Sequence, residues 1–196
     1  MKTRKRETRI TAVPAITGKC GWVFCLLGAL LLTMMSTPAK AQCTAQNTAF
    51  QSGEHVMYDL YFNWKFIWKK VGLASLTTFS TTYQSQPAYR FNLLSVGSKK
   101  TDFFFKMRDT LTCYVSEKLE PLYFRKAAEE GDRYTVDEAW FSYKDGVSNV
   151  KQRRIWHNPV RDPQEMEYSD SRCIFDMLSI LAQARSYDPA DYKIGD

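Results

Sequence analysis

The stretch from Thr101 to Tyr134, TDFFFKMRDTLTCYVSEKLEPLYFRKAAEEGDRY, constrains the fold of this chain more than any other. Alternate positions along it are apolar or aromatic: Phe103, Phe105, Met107, Leu111, Cys113 and Val115. A period of two with β-branched and aromatic residues is typical of strands that bury one face. A polar break at 116–118, followed by Pro121, separates this run from a second one. We therefore predict a long antiparallel ribbon that folds back on itself.

The same alternation recurs in the second half of this ribbon and on both sides of it. It predicts further strands at Glu54–Trp64, Val71–Tyr83, Ala88–Gly97, Leu122–Lys126, Tyr134–Tyr143 and Val147–Trp156. Turn residues separate these runs, and Asp145-Gly146 is a hairpin signal. The segment His157–Met166 contains two prolines and is predicted to be a loop. The expected fold is mainly β, a curved antiparallel meander or half-barrel.

One helix is expected near the end of the chain. Asp170 or Ser171 can cap its start, and Pro189 follows its end. The predicted apolar stripe has helical spacing and contains Ile174, Leu178 and Leu181, flanked by Phe175 and Ala182. We expect this stripe to cover part of the curved sheet.

Residues 1–41 have the order of a secretory signal peptide. A basic start precedes an apolar run over 21–35, and Ala39-Lys40-Ala41 supplies small residues for cleavage. The expectation is export to the periplasm or cell envelope, with an uncleaved inner-membrane anchor as the alternative. Residues 42–53 are predicted to be a flexible lead-in, and residues 54–196 to form the β domain.

The leader carries the whole net positive charge of the chain. It holds seven of the 27 basic residues and one of the 21 acidic residues, so residues 42–196 have twenty of each and are formally neutral. Net charge therefore gives no reason to expect nucleic-acid binding.

Three cysteines remain after the leader: Cys43, Cys113 and Cys173. They form no CxxC pattern and no cluster with histidine, so no metal site is predicted. One pair could bridge in an oxidising compartment, but three separate apolar thiols are the favoured interpretation, because Cys113 alternates onto an apolar strand face.

Catalytic residues are not suggested by any spacing. His55 and His157 are far apart and are interpreted as surface residues. Arg108 and Asp109, with Asp102 nearby, interrupt an aromatic strand, and a cross-strand ion pair on the solvated face is favoured over a role at a cavity mouth. We expect no enzyme activity and no cofactor.

Several segments in order resemble the DUF3108 family of secreted bacterial proteins. They are Gly53-Glu54 with Tyr58, the run Val71–Leu76, Met107-Arg108-Asp109, the run Leu119–Phe124, and a helix with the pattern Asp…Ser…Arg from Asp176 to Arg185. The resemblance covers about Gly53 to Asp196. It implies a half-barrel similar to that of lipoprotein carriers, no transferable activity, and further strands beyond Asp196, so the chain is expected to be truncated.

These patterns lead to a functional hypothesis. An envelope protein would bind an apolar ligand, a lipid or acyl molecule, in a groove between the helix and the first strands. The expected binding residues are Tyr58, Leu60, Phe62, Phe103, Phe105 and Arg108. Peripheral membrane contact is expected through Trp64, Phe66 and Trp68, which have lysine neighbours. The alternative is a structural or assembly protein of the envelope without a ligand.

Overall fold

The computed structural model describes residues 43–191 and 193, which all belong to one compact unit, Lys40–Asp196. The predicted signal peptide lies outside the described residues. Eight strands follow one another along the chain: β1 (His55–Trp64), β2 (Ile67–Tyr83), β3 (Gln86–Gly97), β4 (Met107–Ser116), β5 (Pro121–Glu130), β6 (Arg133–Lys144), β7 (Val147–Asn158) and β8 (Val160–Asp170).

The strands form one antiparallel sheet in which each strand pairs with its neighbours in sequence. Among the described strands, β1 and β8 are not paired with each other, so the sheet is unclosed. The register sets Leu93 of β3 opposite Leu76 of β2 and Leu111 of β4, so apolar side chains lie side by side. The predicted mainly-β antiparallel meander is confirmed.

The two faces of this sheet differ. We call the face that carries Leu76, Phe91, Leu111, Cys113 and Val115 the helix face, because these residues pack with the C-terminal helix in the buried core. The other side is called the opposite face.

Residues 99–106 were predicted to be an extended part of the ribbon, but they are not. A short helix, α1 (Lys99–Asp102), and a loop join β3 to β4. The Ser98 hydroxyl accepts a hydrogen bond from the Thr101 N–H, and the Thr101 hydroxyl donates to the Val71 carbonyl at 3.1 Å. This local capping outweighs the strand preference of residues 103–105. These three consecutive phenylalanines are exposed to solvent instead.

The predicted loop His157–Met166 is instead the end of β7, a turn and most of strand β8. Pro163 argued against predicting a strand here, because proline has no N–H to donate to a neighbouring strand. It is tolerated because β8 has one neighbour among the described strands, and because Pro163 lies where the register shifts beside Arg154 and Trp156.

The C-terminal helix, α2 (Met177–Arg185), begins later than predicted, with Asp176 rather than Asp170 or Ser171 as its cap. The Asp176 carboxylate accepts hydrogen bonds from the backbone of Ser179, whose hydroxyl accepts one from the Asp176 N–H, a complete capping box. The buried stripe also differs from the predicted one and consists of Leu178, Ser179, Ala182 and Gln183.

Over its described residues, 43–53, the lead-in is packed rather than loose, unlike the flexible segment predicted for residues 42–53. Phe50 is 7% exposed, and its ring meets those of Tyr89 and Phe91 edge-on, with centroids 5.2 and 4.9 Å apart. The composition of this segment is polar, so a single aromatic anchor was missed. The described part of the chain contains no helix with the length and apolar character needed to cross a bilayer.

A disulfide joins Cys43 in the lead-in to Cys173 before α2, with their Cα atoms 5.3 Å apart. The favoured interpretation of separate thiols is therefore wrong for this pair. Cys113 is free and fully buried on the helix face, as its alternation predicted. Burial raises the pKa of the Cys113 thiol well above its ordinary value, so the reactive thiolate is not populated at neutral pH.

Candidate functional site

The helix face is divided by α2 into two flanks. We call the side next to β2 and β3 the lead-in flank, because Phe50 of the lead-in packs there against Tyr89 and Phe91 of β3. The Arg185 guanidinium lies 5.8 Å from the Phe50 ring centroid and donates a 2.6 Å hydrogen bond to Glu54. Gln183 donates to the carbonyls of Cys43 and Leu119 at 3.0 and 3.1 Å. This flank is therefore filled by the protein itself.

The predicted ligand groove between the helix and the first strands falls on this filled flank. Tyr58, Leu60 and Phe62 do lie on the helix face of β1, where Tyr58 is opposite Ala74 in β2. Tyr58 and Phe62 are 44% and 55% exposed, so their rings are largely at the surface. Their role as ligand contacts stays a prediction.

The other predicted binding residues are not brought together with β1. Phe105 lies near the turn between β5 and β6, where a Cβ on Gly131 would be 3.5 Å from its ring. Phe103 is 86% exposed and packs against its neighbour Phe104. Three strands separate β1 from β5, so Phe105 and Tyr58 do not form one wall.

Arg108 lies on the opposite face and pairs with Asp102 of α1. The Arg108 hydrogen bond lowers the pKa of Asp102 below its ordinary value. The predicted pair of Arg108 with Asp109 is wrong, because successive strand residues point to opposite faces. Arg108 lines a shallow cleft of about 630 Å³ with Lys106, Glu129, Tyr134 and Asn158 among its other residues.

Asp109 itself is buried on the helix face, 9% exposed. One carboxylate oxygen has no hydrogen-bond partner among the described residues. Burial raises the pKa of Asp109, and the charge of nearby Lys126 opposes this effect. The residue carries an energetic cost at neutral pH, which no pattern in the sequence indicated.

The second flank of α2, next to β5–β8, is open, and we call it the open flank. A cleft of about 380 Å³ lies there between the start of the helix and the strands. Met166 of β8 and Met177 of α2 are 61% and 64% exposed in its lining. The other helix-face residues that line it are Phe124, Lys126, Asp137, Ala139, Gln152, Arg154 and Gln164.

The polar side of this cleft is formed by an ion pair between Arg154 and Asp137. Arg154 donates two hydrogen bonds to Asp137, from Nε at 2.5 Å and from Nη2 at 3.0 Å. This hydrogen bonding raises the pKa of Arg154 further. A bidentate pair of this kind fixes the guanidinium plane, and its remaining N–H groups can donate to a bound molecule. The cleft was not predicted, because the sequence pattern indicated a loop over His157–Met166, where most of β8 lies.

The opposite face carries a polar network beside a row of rings. Glu138 accepts hydrogen bonds from the Tyr123 hydroxyl at 2.7 Å and from Arg153 at 2.8 Å. Burial alone would raise the pKa of Glu138, but these two hydrogen bonds lower it, so the group stays an anion. Burial and the same hydrogen bond raise the pKa of Tyr123. A carboxylate and a phenol held in these states are suited to structure rather than proton transfer at neutral pH.

The two histidines lie at the surface, as predicted. His55 shares a 2.7 Å hydrogen bond with Ser75, and His157 stacks on Tyr134 with centroids 5.0 Å apart. Within residues 43–191, no group of three or more His, Cys, Asp or Glu side chains is arranged to hold a metal ion.

The motif residues behind the family resemblance have structural roles here. Gly53 has a φ of +91°, a conformation that favours glycine, and it positions Glu54 for its pair with Arg185. Gly72 faces Gly97 across the β2–β3 pairing, and a Cβ on Gly72 would collide with the Val96 carbonyl oxygen. Asp176 forms the helix cap. The motifs therefore secure the lead-in, a close strand approach and α2.

Comparison with family models gives a match for most of the chain. The family model DUF3108, described as a protein of unknown function, matches residues 57–195. No curated protein and no solved structure matches the chain. Because the model covers well over half of the sequence, this chain belongs to the DUF3108 family, as the order of its motifs indicated.

Proposed function

We propose that the chain is a non-catalytic binding protein of the cell envelope that holds an amphiphile with an acyl chain in the cleft of the open flank. The observation that carries this proposal is the pair of exposed methionines, Met166 and Met177, in a cleft that also contains Phe124. Methionine side chains are flexible and polarizable, and they are common at surfaces that accept varied apolar ligands.

The cleft has the size and chemistry that such a ligand needs. Its volume of about 380 Å³ is within the range of small-molecule sites. The acyl chain would pack along Phe124 and the two methionines, and the head group would accept hydrogen bonds from Arg154 or Gln152. These are different residues from those of the groove that the sequence suggested.

The cellular setting and the absence of catalysis are part of the proposal. The leader order of residues 1–41 supports export. The paired states of Glu138 and Tyr123 and the protonated thiol of Cys113 support a binding role over catalysis.

A naphthalene sulfonate dye tests the cleft. We expect dye fluorescence to rise on binding to the native protein and to fall when oleate is added. Met166→Glu and Met177→Glu should each weaken dye and oleate binding at least tenfold, because a carboxylate in the cleft repels both anions. Met57→Glu is the matched control, since Met57 is 54% exposed on the opposite face. Equal binding by all three variants would overturn the cleft.

A second candidate, assembly without a ligand, is favoured by β8. This strand has one neighbour among the described strands, and ten of its eleven residues are exposed. A partner strand could pair with its outer edge. Pro163 and the charges of β8 disfavour such pairing, which makes this the weaker candidate. Concentration-dependent association that Met166→Glu leaves unchanged, without dye binding, would favour it.

A further inference from the structure

Two segments lie at the end of the sheet where β1 joins β2 and β3 joins β4, and we call them together the tip surface: residues 62–70, around the β1–β2 hairpin, and residues 97–108, between β3 and β4. The second segment is bonded to Val71, the residue that follows the first. The Ser98 N–H donates to the Val71 carbonyl at 2.7 Å, and the Thr101 hydroxyl donates to the same oxygen at 3.1 Å. The hairpin and the α1 segment are therefore held side by side.

The tip surface exposes large aromatic side chains. Phe66 is 87% exposed, Phe103 86%, Phe104 83% and Trp68 69%. Rings that stand almost fully in water are costly, and a group of them on neighbouring segments indicates an interaction surface. The side chain of Trp64, the third residue of the predicted membrane contact, is outside what the structure describes.

The same two segments are strongly basic. They hold seven of the twenty basic residues of the region 42–196 and one of its twenty acidic residues, Asp102. Their formal charge is therefore +6, and the remainder of that region carries −6. Lys70, Lys106 and Arg108 are ion-paired, whereas Lys99 and Lys100 are exposed on α1 beside the aromatic loop.

We propose that the tip surface docks the protein on a lipid bilayer with anionic head groups, with its rings in the interfacial region and its lysines at the phosphates. Aromatic rings beside lysines are the chemistry that favours this interface. A second copy of the chain docked tip to tip is disfavoured as the occupant, since it would bring two surfaces of charge +6 together. This inference does not depend on the acyl-ligand cleft.

Vesicle co-sedimentation tests the proposal with protein collected from the envelope fraction of cells that express the full chain. The vesicles contain phosphatidylcholine and phosphatidylglycerol in equal parts, or phosphatidylcholine alone. We expect binding to the mixed vesicles that weakens at least tenfold in Phe103→Ser/Phe104→Ser and in Lys99→Glu/Lys100→Glu. High salt should weaken the wild type toward its level on phosphatidylcholine alone.

Matched controls separate docking from general effects. Lys118→Glu/Lys144→Glu changes two exposed lysines at the other end of the strands and should bind as wild type does. Met166→Ser/Met177→Ser changes the cleft and should also leave vesicle binding unaltered. Circular dichroism confirms that each variant is folded. Binding that the tip variants and the controls lose equally, or a tip-dependent dimer with no vesicle binding, would overturn the proposal.

Discussion

The two flanks of α2 lie on the same sheet face, yet one is filled and the other is open. On the lead-in flank, Phe50 is 7% exposed, and Arg185 joins Glu54 to the helix. On the open flank, Met166 and Met177 are more than half exposed around a cleft of about 380 Å³. A helix of nine residues covers only a narrow strip of the sheet. The two flanks therefore differ because residues 43–53, an irregular segment of eleven residues, cover one of them.

The contrast shows that a lid need not be a regular element. Residues 43–53 form no helix or strand, but a disulfide, one aromatic ring and a few hydrogen bonds hold them on the sheet. We expect stability to depend on this flank and ligand binding to depend on the other. The following predictions test that division.

Loss of the disulfide should have the largest effect on stability. Replacing Cys43 and Cys173 with Ser opens a connection between residues 130 positions apart, which should lower the free energy of unfolding by about 4 kcal/mol. Urea denaturation of the variant and the wild type measures this loss. A reductant should lower the wild-type midpoint and leave the variant unchanged. Equal midpoints would mean that the lead-in needs no covalent tether.

Phe50→Ala should lower the free energy of unfolding by about 3 kcal/mol, because it removes a buried ring and leaves a cavity beside Tyr89 and Phe91. The comparison on the open flank is Met166→Ala, for which we expect a change within about 0.5 kcal/mol. Chemical denaturation of both variants and of the wild type measures the two losses in free energy of unfolding. Similar losses for the two would contradict the division between the flanks.

Asp109→Asn should change the free energy of unfolding less than the two losses above, and it should raise it. The folded pKa of Asp109 is raised, so the folded protein binds the proton more tightly and wild-type stability falls as pH rises above the ordinary aspartate value. The variant lacks this fall and should be about 1 kcal/mol more stable than the wild type at neutral pH, a gain that vanishes below about pH 4.

Asp170→Asn is the control for this pH dependence of stability, because the pKa of Asp170 is shifted in the opposite direction. Hydrogen bonds from Arg172 lower the pKa of Asp170 to about 2, so its contribution is present above the ordinary value and is lost as pH falls toward 2. Unfolding curves at several pH values should therefore move in opposite directions for the two variants. If Asp109→Asn destabilises the protein at neutral pH, the carboxylate has a stabilising partner.

The sequence by itself determined the first seven strands, their order and the family. A period of two with turn residues between the runs is a local signal, so the antiparallel meander and the buried position of Cys113 could be predicted from it. The same period could also have separated Arg108 from Asp109, since neighbours on a strand lie on opposite faces. That error was one of interpretation rather than of missing information.

Only the tertiary structure decided which segments cover the sheet. Phe50 is one apolar residue in a polar segment, and its burial depends on the disulfide and on the rings of β3, which are distant in sequence. Pro163 is acceptable in β8 because that strand has a single described neighbour, which no local pattern reveals. The cleft follows from both facts, because it exists where the lead-in is absent and β8 is present. Long-range contacts of this kind are set by the packing of the whole chain, whereas periodicity reports only what each segment prefers alone.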